Sequence, residues 1–156
     1  MAYDQLIMEY PHIKIIEKVL PKGLPGLYYD NVIEIDKFKH KYEKHCILAE
    51  ELGHYETTYG DITELNDLRN VKLEQIARRW GYEKIVSFDK LIDCYEKGQT
   101  TLDEVCTNLE ITPEYLKSVI DYFIEKYGLF KLHGEYRITF EPLNIKMIEK
   151  KKQSFD

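Results

Sequence analysis

The apolar positions of this chain change period several times, and each change predicts an element. From about Lys37 to Tyr55 the period is helical, with Ile47 and Leu48 falling beside Glu51, Leu52 and Tyr55. A second strong helix follows in "KLEQIARRWGYEKIV", whose apolar set is Leu73, Ile76, Ala77, Trp80 and Ile85. The stretch between them, residues 56 to 71, is polar and irregular. "FDKLIDCYEKG" predicts one more helix, stopped by Gly98. Before these helices, "VIEID" alternates as a strand does: Val32, Glu34 and Asp36 face one way, Ile33 and Ile35 the other. Asp30-Asn31 suits a tight turn ahead of it. Residues 2 to 9 start a helix that Pro11 interrupts, residues 12 to 20 read as a second short helix, and "LPKGLPGLYYDN" (20 to 31), with its prolines and glycines, reads as a loop.

The C-terminal third has its own outline. Residues 101 to 127 predict two helices around a turn, with Thr112 capping the second and Pro113 in its first position. "LFKLHGEYRITF" adds two short strands around His133-Gly134, and helix, turn, helix, hairpin is the order of a winged helix-turn-helix. The lysine-rich tail that follows, 143 to 156, is expected to be loose. The expectation is an α+β fold: a mostly helical core with a small sheet over 1–98, a winged helix-turn-helix-like unit over 99–142, and the tail.

Length and composition narrow the classes. A chain of 156 residues has the size of one domain, or one with a small appendage. With 44% hydrophobic and 32% charged residues it can build a packed core. Thirteen tyrosines suit half-buried surfaces, where the ring packs and the hydroxyl stays hydrated. A net charge of −6 argues against a dedicated nucleic-acid binder. Residues 101 to 128 carry six acids against Lys117 and Lys126, so DNA contact is not expected there; Lys131, Arg137 and the tail are the basic exceptions, and Tyr115, Tyr122 and Phe123 suit packing or a protein contact. Cys46, Cys94 and Cys106 are odd in number and form no CxxC pair, which suits reduced thiols in a cytoplasm. No signal peptide and no membrane span is expected.

The chemistry concentrates in "ILAEELGHYETTYGD", residues 47 to 61. Residues four apart share a helix face, so Glu50 and His54 point to one spot with Glu51 beside them. That is the geometry of His-Glu-x-x-His, where the first and last positions ligate zinc and the second is the general base, except that Glu50 stands in place of the first histidine. A catalytic metal needs a third protein ligand. Glu74, twenty residues after His54 at the start of the next strong helix, is the candidate, and Ala77 one turn later would let the two helices approach. Two carboxylates and one imidazole form a hard donor set, suited to Zn²⁺ but tilted towards Mn²⁺ or Fe²⁺. The plainer alternative is a solvated acidic helix face. Cys46 shares the stripe with Glu50 and His54 and reads as a buried structural thiol, while His40 and His45 are out of phase and read as surface.

The pattern "GLYYDNVIEID … KHCILAEELGHY … EQIARRWGYEK" over roughly residues 24 to 90 resembles the ImmA/IrrE family of metallo-endopeptidases, in a short form carried by phages and integrated elements. The resemblance implies a zincin-like metallopeptidase core with Glu51 as general base and His54 and Glu74 as metal ligands. Glu50 takes the first-ligand position and departs from the usual pattern, though a phage-type subgroup is similar in reading "AEELGH". Tyr55, Tyr59 and Tyr28 become candidates to steady an oxyanion, and the strand residues Val32, Ile33 and Glu34 resemble the family's sheet edge, where an extended substrate pairs. The implied activity is that of an anti-repressor that cuts a helix-turn-helix repressor. Two other readings stay open: a former peptidase that sequesters the repressor uncut, and a DNA- or protein-binding module.

Overall fold

Helix α2 (Lys41–Thr57) is the element around which the N-terminal part is arranged. The computed structural model describes residues 1–57 and 67–148, with the backbone alone of 67–70; most of the predicted 56–71 connection, Tyr59 and Lys150 to Lys152 lie outside these residues. In chain order the elements are α1 (Ala2–Met8), β1 (Lys14–Lys18), β2 (Gly26–Tyr29), β3 (Val32–Asp36), α2, α3 (Asp67–Ile85), α4 (Phe88–Glu96), α5 (Leu102–Leu109), α6 (Pro113–Tyr127), β4 (Phe130–His133), β5 (Tyr136–Phe140) and β6 (Leu143–Met147). Among the described residues the architecture is α+β, about half helical, with two three-stranded sheets.

Helix α2 is buried on two flanks at once, by α1, β2 and β3 on one and α3 on the other. Its buried set is correspondingly broad: His45, Cys46, Leu48, Ala49, Leu52, Gly53 and His54. The first sheet has the order β1-β3-β2. Strand β1 corrects the short helix expected over 12–20. It pairs in parallel with β3, Lys14 opposite Val32 through Lys18 opposite Asp36, and that non-local pairing overrides a locally helix-compatible spacing. Strand β2 emerges from the expected loop. Asp30 and Asn31 both adopt left-handed φ, 43° and 61°, as a two-residue hairpin requires, and the residues before the turn therefore pair with β3. Glu34 lies on the polar side of β3 but is buried, and is satisfied by the Tyr29 hydroxyl at 2.6 Å and Lys18 Nζ at 3.3 Å.

The C-terminal elements follow the expected order. Thr101 and Glu104 form a capping box on α5, Thr112 caps α6, and Gly98 with φ 75° follows α4. Strand β6 is a correction: the first part of the expected loose tail completes the second sheet, order β4-β5-β6, with Ile145 buried against Ile138. Phe123 and Phe140 pack with tilted rings in the core beside Phe88 and Tyr127, and Tyr115, Tyr122 and Phe123 take the packing role, one of the two expected of them. Most of the buried apolar side chains among the described residues form one cluster reaching from Tyr3 to Ile145.

His45 is a further correction: it is buried, not on the surface. Its Nδ1 lies 2.9 Å from the carbonyl oxygen of Glu110, which only accepts, so Nδ1 carries the proton. The bond ties α2 to the α5–α6 corner. Burial pushes the imidazole below its ordinary pKa. The unfolded chain therefore takes up this proton first as pH falls through about 6.5, and the native state loses stability until it too is protonated. The thermal midpoint of the wild type should fall more between pH 7.5 and pH 5.5 than that of His45→Gln; equal declines would remove His45 as a cause.

Candidate metal centre

Small residues bring α2 and α3 unusually close. A Cβ on Gly53 would sit 2.1 Å from the carbonyl oxygen of Ala77, and one on Gly81 would sit 3.1 Å from the carbonyl of Ala49. Ala49 and Gly53 on one helix thus face Ala77 and Gly81 on the other, each pair one turn apart. His54 follows Gly53 in the chain, and Glu74 precedes Ala77 by about one turn. The closest backbone approach therefore lies beneath these two side chains, and His54 Nε2 meets Glu74 Oε1 at 3.1 Å. Glu50 completes the group: one donor atom from each of Glu50, His54 and Glu74 lies within 4.8 Å of the others. Donors on a tetrahedral ion at the usual bond lengths stand roughly 3.4 Å apart, so small rotamer changes would close the three onto one cation.

The charge balance of the group fits a cation. Three carboxylates, Glu50, Glu51 and Glu74, share the space around one imidazole. Burial, and then the charges of Glu50 and Glu74, push the Glu51 carboxyl up to about 8. Among the described residues, the one arginine or lysine paired with the triad is Arg78, whose Nε donates to Glu50 Oε1 at 2.8 Å. The Nδ1 of His54 is buried with no hydrogen-bond partner among the described residues. A divalent ion would offset the excess negative charge, and the donor set is one that zinc, manganese or iron accepts.

Glu51 lies on the flank of α2 that faces β2. A Cβ on Gly26 would come within 3.2 Å of its Cγ and 3.3 Å of its Oε1, so glycine lets the strand pass directly over the carboxylate. One turn later on that flank Tyr55 packs against Tyr28 of β2 and Tyr10, with ring centroids 6.0 and 6.2 Å away. The Tyr55 hydroxyl lies 2.7 Å from His12 Nε2. Cys46 is buried, which raises its thiol to about 12 and keeps it protonated.

Val32, Ile33 and Glu34 are a correction. They belong to β3, the central strand, with β1 on one side and β2 on the other, so their backbone has no free edge for a substrate. The free edge nearest Glu51 belongs to β2. Arg78 was missed by the sequence reading, although its place one turn after Glu74 was a usable signal. Gly53 and Gly26 were missed because only the partner backbone gives them meaning, and His12 because it comes from a distant turn.

Two close-packed helices bring a histidine and two carboxylates together, beside a third, shielded carboxylate, in a group that could hold a metal ion. A family model, that of the IrrE N-terminal-like domain, a peptidase family, matches residues 8–120, and the chain belongs to that family. No curated protein and no solved structure matches the chain significantly. Among the described residues no helix is long and apolar enough to cross a membrane.

Proposed function

We propose that this protein is a metal-dependent endopeptidase that cuts a helix-turn-helix repressor of a phage or integrated element. The observation that carries the reading is the convergence of Glu50 and His54 of α2 with Glu74 of α3, whose donor atoms lie within 4.8 Å of one another, with Glu51 next to Glu50 on the flank of α2 that faces β2. Glu50, His54 and Glu74 would hold the ion, Zn²⁺ first with Mn²⁺ or Fe²⁺ as alternatives, and it would supply Lewis-acid activation of water and of the scissile carbonyl. Glu51 would take the proton from the attacking water and deliver it to the leaving amine, from its place next to the Glu50 ligand on α2. The tyrosine of this flank nearest to hand is Tyr55, with its hydroxyl aligned by His12, and the free edge of β2 suits an extended substrate segment. The α5–α6 pair and the second sheet are read as a winged helix-turn-helix-like unit that docks the repressor rather than DNA, and the buried free cysteines suit a cytoplasmic protein.

The Arg78–Glu50 pair favours a second reading, in which the first ligand position is taken and the protein sequesters the repressor without cutting it. A mixture of this protein with the repressor separates the two. The peptidase yields two fragments, and a chelator stops it; a repressor that stays intact yet loses operator binding would establish sequestration. The metal content of the purified protein should be near one ion per chain and lost in His54→Ala and Glu74→Ala, measured by elemental mass spectrometry. A metal-free wild type after loading with Zn²⁺ or Mn²⁺ would end the peptidase reading.

A further inference from the structure

Arg78 has no part in the hydrolytic steps above, yet it is placed against the one residue that departs from the His-Glu-x-x-His pattern. It lies on α3 one turn beyond Glu74, so both side chains leave the helix on the same face. From there its Nε donates to Glu50 Oε1 at 2.8 Å across the gap to α2. A histidine at position 50 would ligate as a neutral group, whereas a glutamate ligates as an anion and adds a full negative charge beside Glu51 and Glu74. The guanidinium adds the opposite charge one hydrogen bond away. It also removes rotational freedom from a side chain longer and looser than histidine, and a carboxylate with one oxygen so held keeps its other oxygen as a donor.

We propose that Arg78 is a positioning residue that makes a glutamate workable as the first metal ligand: it fixes the Glu50 carboxylate and cancels its charge, so that the Glu50–Arg78 pair replaces one neutral histidine. The proposal rests on the reading that Glu50, His54 and Glu74 hold a metal. Residues that orient a ligand through its second acceptor are a general requirement of metal sites, and their loss weakens affinity even though they never touch the ion. The Arg78 side chain is 54% exposed, so truncating it opens no cavity in the core and the variant should fold.

The test is a thermodynamic cycle in metal affinity. Zn²⁺ and Co²⁺ affinities are measured by competition with a chromophoric chelator for the wild type, Arg78→Ala, Arg78→Lys, Glu50→His and the double variant Glu50→His/Arg78→Ala. Thermal unfolding of each metal-free protein serves as the folding control. Arg78→Ala should weaken binding roughly 10- to 100-fold and alter the Co²⁺ visible spectrum, with Arg78→Lys in between because it keeps the charge but not the fixed Nε donor. With histidine at position 50 the same truncation should cost nothing or tighten binding, since the cation no longer has an anion to offset. Wild-type affinity in Arg78→Ala would overturn the proposal and leave the metal site standing. Tighter binding in Arg78→Ala would overturn it by showing that the arginine competes with the metal for Glu50. Equal losses in both backgrounds would overturn it in favour of a purely structural role. A wild type that binds neither ion would remove the metal site and the proposal with it.

Discussion

Replacing Gly53 by alanine should destabilise the protein by about 3 kcal/mol and cost it its metal affinity. In the interior of an exposed helix the same change usually stabilises, by about 0.5–1 kcal/mol, because alanine loses less backbone freedom on folding. The sign reverses here because the new Cβ would lie 2.1 Å from the Ala77 carbonyl oxygen, 2.8 Å from its carbon and 3.0 Å from its Cα. These are backbone atoms of a neighbouring helix, with no rotamer to give way, so α2 and α3 must part. His54 and Glu74 ride on the two helices beside this contact, and their 3.1 Å approach opens with it. Gly81→Ala, whose Cβ would meet the Ala49 carbonyl at 3.1 Å, should show the same effect more weakly. Urea denaturation and metal titration of both variants decide the matter: a Gly53→Ala protein as stable as the wild type would contradict the close approach.

Glu51→Gln should separate folding, metal retention and chemistry. Glutamine keeps the shape of the carboxyl but can neither take nor return a proton, so cleavage should fall by about 10²- to 10⁴-fold while metal stays bound. In the metal-free protein the same change should stabilise. Below pH 4.5 the Glu51 carboxyl is protonated in both folded and unfolded chains, and the variant gains nothing. Between 4.5 and about 8 the unfolded chain releases the proton while the folded one holds it, so the wild type loses stability as pH rises. Over the interval from 4.5 to pH 7, at 1.36 kcal/mol per unit, the advantage of the variant grows to on the order of 3 kcal/mol. Denaturant midpoints of chelator-treated wild type and Glu51→Gln, compared at pH 5 and pH 7.5, give the check. A gap that does not widen with pH would mean that the carboxylate is better solvated than its place beneath Gly26 implies.

What could be read in advance was what local chemistry determines. The period of α2, the Thr112-Pro113 start of α6, and the Asp30-Asn31 turn each have a cause within a few residues, and each stands where expected. Spacing likewise placed Glu50 and His54 on one face, and Glu74 meets them. The misreadings share a different cause. Strand β1 exists because β3 pairs with it in parallel, and nothing between His12 and Leu20 announces that partner. Strand β6 carries an alternation, Leu143, Ile145 and Met147, but it is short and runs into a lysine-rich stretch whose composition is that of a solvated tail. His45 is out of phase with the Glu50–His54 stripe, but α2 is covered on two flanks, so a residue off one face is buried by the other. Gly53 and Arg78 required the second helix to be in place before their roles had any expression.

The buried cluster from Tyr3 to Ile145 has a calorimetric consequence. The candidate metal centre on α2 and α3 and the sheet at the far end of the sequence share this core, so heating should give one heat-capacity peak whose enthalpy scales with the whole folded chain. Loss of packing around Phe140 would then be felt as a lower temperature of metal release, because the helices that carry the ligands have no independent melting point of their own.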